Sequence, residues 1–169
     1  MKAEKIYLVG FMAAGKTSVA KALGRRLGWD VLDVDESIEQ RERMPVADIF
    51  AKRGEAYFRS VERAVIADQL GRRHVVVATG GGTFADAQSR AAINQDGVSV
   101  WLDVPLERLV DRVPADGRRP LAADRATFER LYHVRRAAYE QAHVRLDAGG
   151  IAPVSIDALV EQLIDWLDV

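Results

Sequence analysis

Chemistry concentrates first at Gly10-Phe-Met-Ala13-Ala14-Gly15-Lys16-Thr17, which satisfies G-x-x-x-x-G-K-[ST] at every fixed position. The stretch follows an apolar run and opens an amphipathic one, the setting that a phosphate cradle needs. Its glycines let backbone N–H groups converge on phosphate oxygens, and a helix N-terminus adds partial positive charge. In that geometry Lys16 bridges the β- and γ-phosphates, Thr17 offers its hydroxyl to Mg²⁺, and the segment from Gly10 to Ser18 holds the nucleotide.

A cradle is shared by motors, switches and kinases. No Asn-Lys-x-Asp is present to read guanine, and Asp68-Gln-Leu-Gly71 fits D-x-x-G only formally, since Gly71 reads as a helix stop. The run VVVAT ends at Thr79 and Gly80-Gly81-Gly82, without the aspartate that commonly helps hold Mg²⁺ in this class. That carboxylate is expected from VLDVDES. Asp33 and Asp35, two apart, project in one direction if strand geometry continues, at the strand's C-terminal edge where open α/β sheets bind ligands. One can steer Mg²⁺, and the other can take a hydrogen bond from an attacking hydroxyl.

Two arginines lie among apolar positions. Arg59 sits in FRSVE, with Glu62 one turn on to orient it, and Arg135 lies four residues before Tyr139, on its face. An arginine so embedded calls for a buried partner, either an internal carboxylate or a carboxylate-bearing ligand. The segment Val113–Asp124, VPADGRRPLAAD, concentrates Pro, Gly, Asp and Arg and reads as a surface loop or as a lid carrying Arg118 and Arg119. The three histidines show no metal spacing, and the chain has no cysteine, so disulfides and thiolate chemistry are excluded.

The elements that position these groups alternate along the chain. Strands are expected at Lys5–Val9, Trp29–Leu32, Val75–Thr79, Val98–Leu102 and Val144–Leu146. One helix carries Val19, Leu23 and Leu27 and stops at Gly28. A second opens at Pro45 and ends at Gly54, and a third carries Phe58, Val61, Val65 and Leu70 and closes at Gly71. A last helix follows Ser155, with Ile156, Leu159, Val160, Leu163, Ile164 and Leu167 on one face. Such alternation predicts an α/β fold with a mainly parallel sheet, in a single domain over 1–169.

With 24 basic and 25 acidic side chains the formal charge is −1, which argues against nucleic acid or a membrane surface as the main partner. Lys2 and Lys5 before an apolar run imitate an export signal. Lys16 and Lys21 place charge where such a signal stays apolar or small, so a cytoplasmic enzyme is expected.

With the P-loop, the Asp33-x-Asp35 pair, IFAKRGEAYFRSVE, the triple glycine and RRPL in this order, the chain resembles shikimate kinase from about Ile6 to Asp147. The resemblance implies a P-loop fold of the nucleoside-monophosphate-kinase type, with a five-stranded parallel sheet in the order 2-3-1-4-5. It implies a mobile lid over 113–124, a substrate region over about 33–62, and transfer of the ATP γ-phosphate to the 3-hydroxyl of shikimate, toward chorismate and the aromatic amino acids. By position Lys16 and Thr17 match the phosphate and Mg²⁺ groups, and Asp33 the outer Mg²⁺ carboxylate. Asp35 matches the residue that binds the shikimate hydroxyls and acts as base. Arg59 and Arg135 match the pair gripping the shikimate carboxylate, Gly80, Gly81 and Gly82 the backbone lining that pocket, and Arg119 the lid arginine over the phosphates. A monomer is expected. The family's P-loop glycine is here Ala13, expected to be accommodated with negative φ; its R-P-L-L is Arg119-Pro-Leu-Ala122, and its R-x-P-L-Y is Arg135-Arg-Ala-Ala-Tyr139. The rival readings are a kinase for another hydroxylated acid, such as gluconate or an amino analogue of shikimate, and a nucleotide-binding regulator without turnover.

Overall fold

The computed structural model describes residues 2–112, 124–149 and 155–168. Three of its strands, β1 (Lys5–Val9), β3 (Val75–Ala78) and β4 (Val98–Asp103), are buried at every position. That is why they read as unbroken apolar runs: a central strand of a parallel sheet is covered on both faces. The outer strands β2 (Asp30–Asp33) and β5 (Val144–Asp147) are partly exposed and read more weakly. All pairings are parallel, in the order β2-β3-β1-β4-β5, with Tyr7 of β1 opposite Val77 and Ser99.

Helix α1 (Lys16–Leu27) packs on β1, β2, β3 and α7 (Ile156–Leu167), and it stops at Gly28, whose left-handed backbone returns its N–H to Gly24. Leu159, Val160, Leu163 and Leu167 of α7 are buried, while Ile156 stays exposed because the helix starts there. The two expected helices around Gly54 run together as α3 (Val46–Gln69), broken at Gly54 by φ 81° and ψ 170°. Leu70 falls just past the helix end and is exposed, off the stripe that buries Phe58, Val61 and Val65.

Asp33 and Asp35 do not share a strand. The chain turns into α2 (Val34–Glu42) directly after β2, because Asp33 is itself the N-cap and accepts the Glu36 N–H at 3.0 Å. Asp35 therefore stands in the first helical turn, and the buried Val34 fixes the rotation of that turn. Asp86, Asp124 and Ser155 cap α4 (Ala87–Asp96), α6 (Arg125–Tyr139) and α7 in the same way. Glu39 closes the start of α3 by accepting the Val46 N–H at 2.9 Å. Helix α5 (Leu106–Arg112) precedes residues 113–123; the expected lid with Arg118 and Arg119 lies outside the described residues, apart from Asp124.

At the N-terminal ends of the strands, Lys5 is buried with its ammonium 2.6 Å from Asp96. Asp96 also accepts from the Tyr7 hydroxyl at 2.6 Å, the Gly71 N–H at 2.9 Å and Arg73 at 3.2 Å. Burial alone would raise the Asp96 pKa, yet these donors outweigh it and hold the carboxyl at about 2. Burial pulls the Lys5 ammonium below its usual range despite Asp96.

Candidate active site

The opposite, C-terminal ends of the strands carry the candidate site. The P-loop leaves β1 at Gly10, where a Cβ would stand 2.8 Å from the Leu102 carbonyl oxygen, so only a glycine lets the loop pass β4 this closely. Unlike α2, α4, α6 and α7, helix α1 has no side-chain cap at its N-terminus. The first-turn N–H groups of a helix are donors that a phosphate can accept from. Ala13 adopts φ +64°, in the left-handed region, contrary to the negative φ expected of it. The cradle curves there whatever the side chain, and alanine bears strain that glycine would not.

Lys16 is buried, and its ammonium donates to the carbonyls of Gly10 and Phe11 at 2.8 Å each, lying across the mouth of the loop. Thr17 donates its hydroxyl to Asp33 Oδ2 at 2.6 Å, while Asp33 Oδ1 caps α2. Ser18 is exposed on the first turn of α1. Among the described residues no cluster of three His, Cys, Asp or Glu side chains exists to cage a metal. One hydroxyl beside one carboxylate fits Mg²⁺, which keeps waters and is bound largely by substrate phosphates.

Asp35, Arg59, Glu62 and the triple glycine meet beside the cradle. A Cβ on Gly80 would lie 2.7 Å from Asp35 Oδ1, and one on Gly81 would lie 3.2 Å from Met12 N, so this turn is wedged between α2 and the P-loop. Arg59 donates to Glu62 Oε1 at 3.0 Å and to Glu55 at 3.3 Å. Gly82 lies beneath its guanidinium, where a Cβ would sit 2.7 Å from Cζ. Glu62 is 1% exposed and accepts from the Thr83 hydroxyl at 2.8 Å; Thr83 in turn accepts the Gly80 N–H at 2.9 Å.

Of the adjacent arginines on α6, Arg135 turns inward and Arg136 is held elsewhere by Asp103 at 2.9 Å. Arg135 lies over Phe11, 5.8 Å from the ring centre. Phe128 and Tyr132 meet the same ring edge-on at 5.0 and 5.5 Å, seating α6 on the P-loop. Burial is the largest influence on Arg135 and lowers its pKa; Tyr139 opposes that, and the nearby Arg59 adds to it. Tyr139, driven upward by its own burial, donates its hydroxyl to the Gly81 carbonyl at 2.6 Å. Two guanidinium groups thus share a largely dry space with one buried carboxylate, an arrangement that an anionic ligand relieves. Thr83, Tyr139 and Phe11 carry structural roles here that sequence reasoning did not assign. The triple glycine running straight into a hydroxyl, Thr83, was the one available signal.

Strand order 2-3-1-4-5 with the cradle leaving the central strand is the architecture of P-loop phosphotransferases of the nucleoside-monophosphate-kinase type. A gluconokinase from Sinorhizobium meliloti shares that fold at a TM-score of 0.61 and 17% identity, over 98% of this chain and 91% of its own. The shikimate kinase family profile matches residues 12–168, and the chain belongs to that family. It is 40% identical to the shikimate kinase of Persephonella marina, over 89% of this chain and 93% of that one. The shikimate kinase of Acinetobacter baumannii, solved in complex with shikimate, superposes at a TM-score of 0.91 and 32% identity, covering 97% and 92% of the two chains.

Proposed function

We propose that the chain phosphorylates the 3-hydroxyl of shikimate with ATP, giving shikimate 3-phosphate and ADP, as a monomeric single-domain enzyme of the cytoplasm. The observation that carries the acceptor reading is the buried approach of Arg59 and Arg135 beside a cradle for the donor. A small polyol acid offers one strong handle, and two guanidinium groups grip its carboxylate and turn its hydroxyls toward Asp35. Membership of the shikimate kinase family supports the same substrate. Among the described residues no helix is long and apolar enough to cross a membrane.

Bound Mg-ATP supplies the phosphoryl group and the divalent charge that offsets the phosphates. The chain's own contribution is positioning and charge. Lys16 leaves the loop carbonyls for the β- and γ-phosphates, and the uncapped start of α1 donates to phosphate oxygens. Thr17 and Asp33 are the residues that would hold the metal. Asp35 accepts a hydrogen bond from the attacking hydroxyl and receives its proton as the new P–O bond forms and the bond from the γ-phosphorus to the β–γ bridging oxygen breaks, ADP leaving with that oxygen. Arg119 is proposed to close over the phosphates and exclude water.

The test is ADP release from Mg-ATP by the purified chain, with shikimate, quinate or gluconate. Strong stimulation by shikimate alone is expected. Stimulation by gluconate instead moves the acceptor to another acid, and none by any of the three leaves a nucleotide-binding regulator.

A further inference from the structure

Thr83 has no solvent exposure, and its hydroxyl is committed on both sides to the acceptor half of the site. Oγ1 accepts the Gly80 N–H at 2.9 Å and stands 2.8 Å from Glu62 Oε2. Chemistry fixes the direction. An amide N–H can only donate, so the hydroxyl keeps its own proton for the carboxylate. Glu62 is thereby held by Oε2, and its other oxygen faces Arg59 Nη1 at 3.0 Å. The backbone at Gly80 is the common seat: a Cβ there would lie 2.7 Å from Asp35 Oδ1, 3.1 Å from Thr83 Oγ1 and 3.3 Å from Glu62 Oε2.

The geometry points to Thr83 as a positioning residue for the acceptor, acting through Glu62 on the plane of the Arg59 guanidinium. This rests on the reading of Arg59 as a carboxylate-gripping arginine. Arg59 is boxed from below by Gly82 and from one side by Glu62, so the angle of its fork follows the rotamer of Glu62. Remove the hydroxyl, and a buried N–H and a buried carboxylate oxygen both lose their partner. Glu62 then swings toward the freed Gly80 N–H and draws Arg59 off the plane in which it meets an acid bidentately. Arg135, held over Phe11 and close to Tyr139, stands outside this chain of hydrogen bonds.

Steady-state kinetics of the full chain with Mg-ATP test the role, using shikimate and its primary-alcohol analogue, in which CH₂OH replaces the carboxylate. Thr83→Val keeps the shape without the hydroxyl and is expected to raise the shikimate KM about tenfold, with the ATP KM within about twofold. Thr83→Ser restores the hydroxyl and is expected within about threefold of the parent. Toward the alcohol, which gives Arg59 no charge to grip, the parent and Thr83→Val are expected to differ in KM by less than about twofold. KM does not depend on the fraction of chains folded. Thr83→Ala, which puts no methyl where the hydroxyl stood, carries the same expectation if Thr83→Val accumulates poorly. An unchanged shikimate KM in either variant overturns the role, and so does an equal loss on the alcohol. A parent chain inactive toward both compounds overturns the acceptor reading itself, and the role of Thr83 with it.

Discussion

Arg59 rests on Gly82, pairs with Glu62 and keeps only 15% of its side chain exposed, so its fork has little freedom to be replaced by another cation. Arg59→Lys retains the charge and loses the planar pair of donors. It is expected to weaken shikimate binding by about 2–5 kcal/mol in calorimetry; normal affinity would remove Arg59 from the acceptor site. Ala13 gives the opposite kind of case. Its φ of +64° strains any residue with a Cβ, so Ala13→Gly is expected to stabilise the fold by about 0.5–1 kcal/mol after the unfolded-state entropy of glycine is set against the relief. A thermal unfolding midpoint raised by roughly 1–3 °C would show it, and a lowered midpoint would count against strain at this position. Lys16 and Thr17 stand out in the sequence through one motif, and Arg59 through its apolar setting. Backbone sign at Ala13 and the hub at Thr83 were not legible. The first depends on how the loop must curve past β4, and the second on contacts between α3 and a turn that lies twenty-one residues away.

At the scale of elements, Gly54 divides α3 into a segment that packs Ile49 and a segment that carries both Arg59 and Glu62. Its φ of 81° with ψ of 170° is essentially reserved for glycine. Gly54→Ala is expected to destabilise the chain by about 1–3 kcal/mol, or to let α3 straighten and raise the shikimate KM through displaced Arg59. Denaturant unfolding alongside kinetics separates the two, and no change in either would show that the kink is dispensable. The central strands were readable because burial on both faces writes them as apolar runs, while β2 was displaced by one residue at the edge, where exposure blurs the pattern. Helix α2 escaped notice for a specific reason. Asp33 serves at once as the last residue of β2, the cap of α2 and the acceptor for Thr17, so no loop residues mark the change of period.

Taken whole, the molecule is pinned by carboxylates that each accept several hydrogen bonds. Asp86 accepts two hydrogen bonds from Arg63, at 2.7 and 3.1 Å, and this pairing holds it at about 2 against an ordinary value of 3.8, as the donors around Asp96 do there. A depressed carboxyl pKa contributes stability that is complete above the unfolded value and is lost as pH falls through the folded one. Roughly 2 kcal/mol from each group should therefore disappear between about pH 4 and pH 2. Asp86→Asn keeps a competent N-cap and removes only the charge. It is expected to cost roughly 2 kcal/mol at pH 7, a gap that closes across that acid window in urea unfolding; a gap constant with pH would assign the loss to shape. The Lys5–Tyr7–Asp96 pin and the cradle stand at opposite ends of the same strand, Lys5 opening β1 and Gly10 following its last residue. Breeding this enzyme toward a new acceptor can therefore proceed at one pole while tolerance for harmful substitutions is built up at the other, neither set of changes meeting the other's side chains.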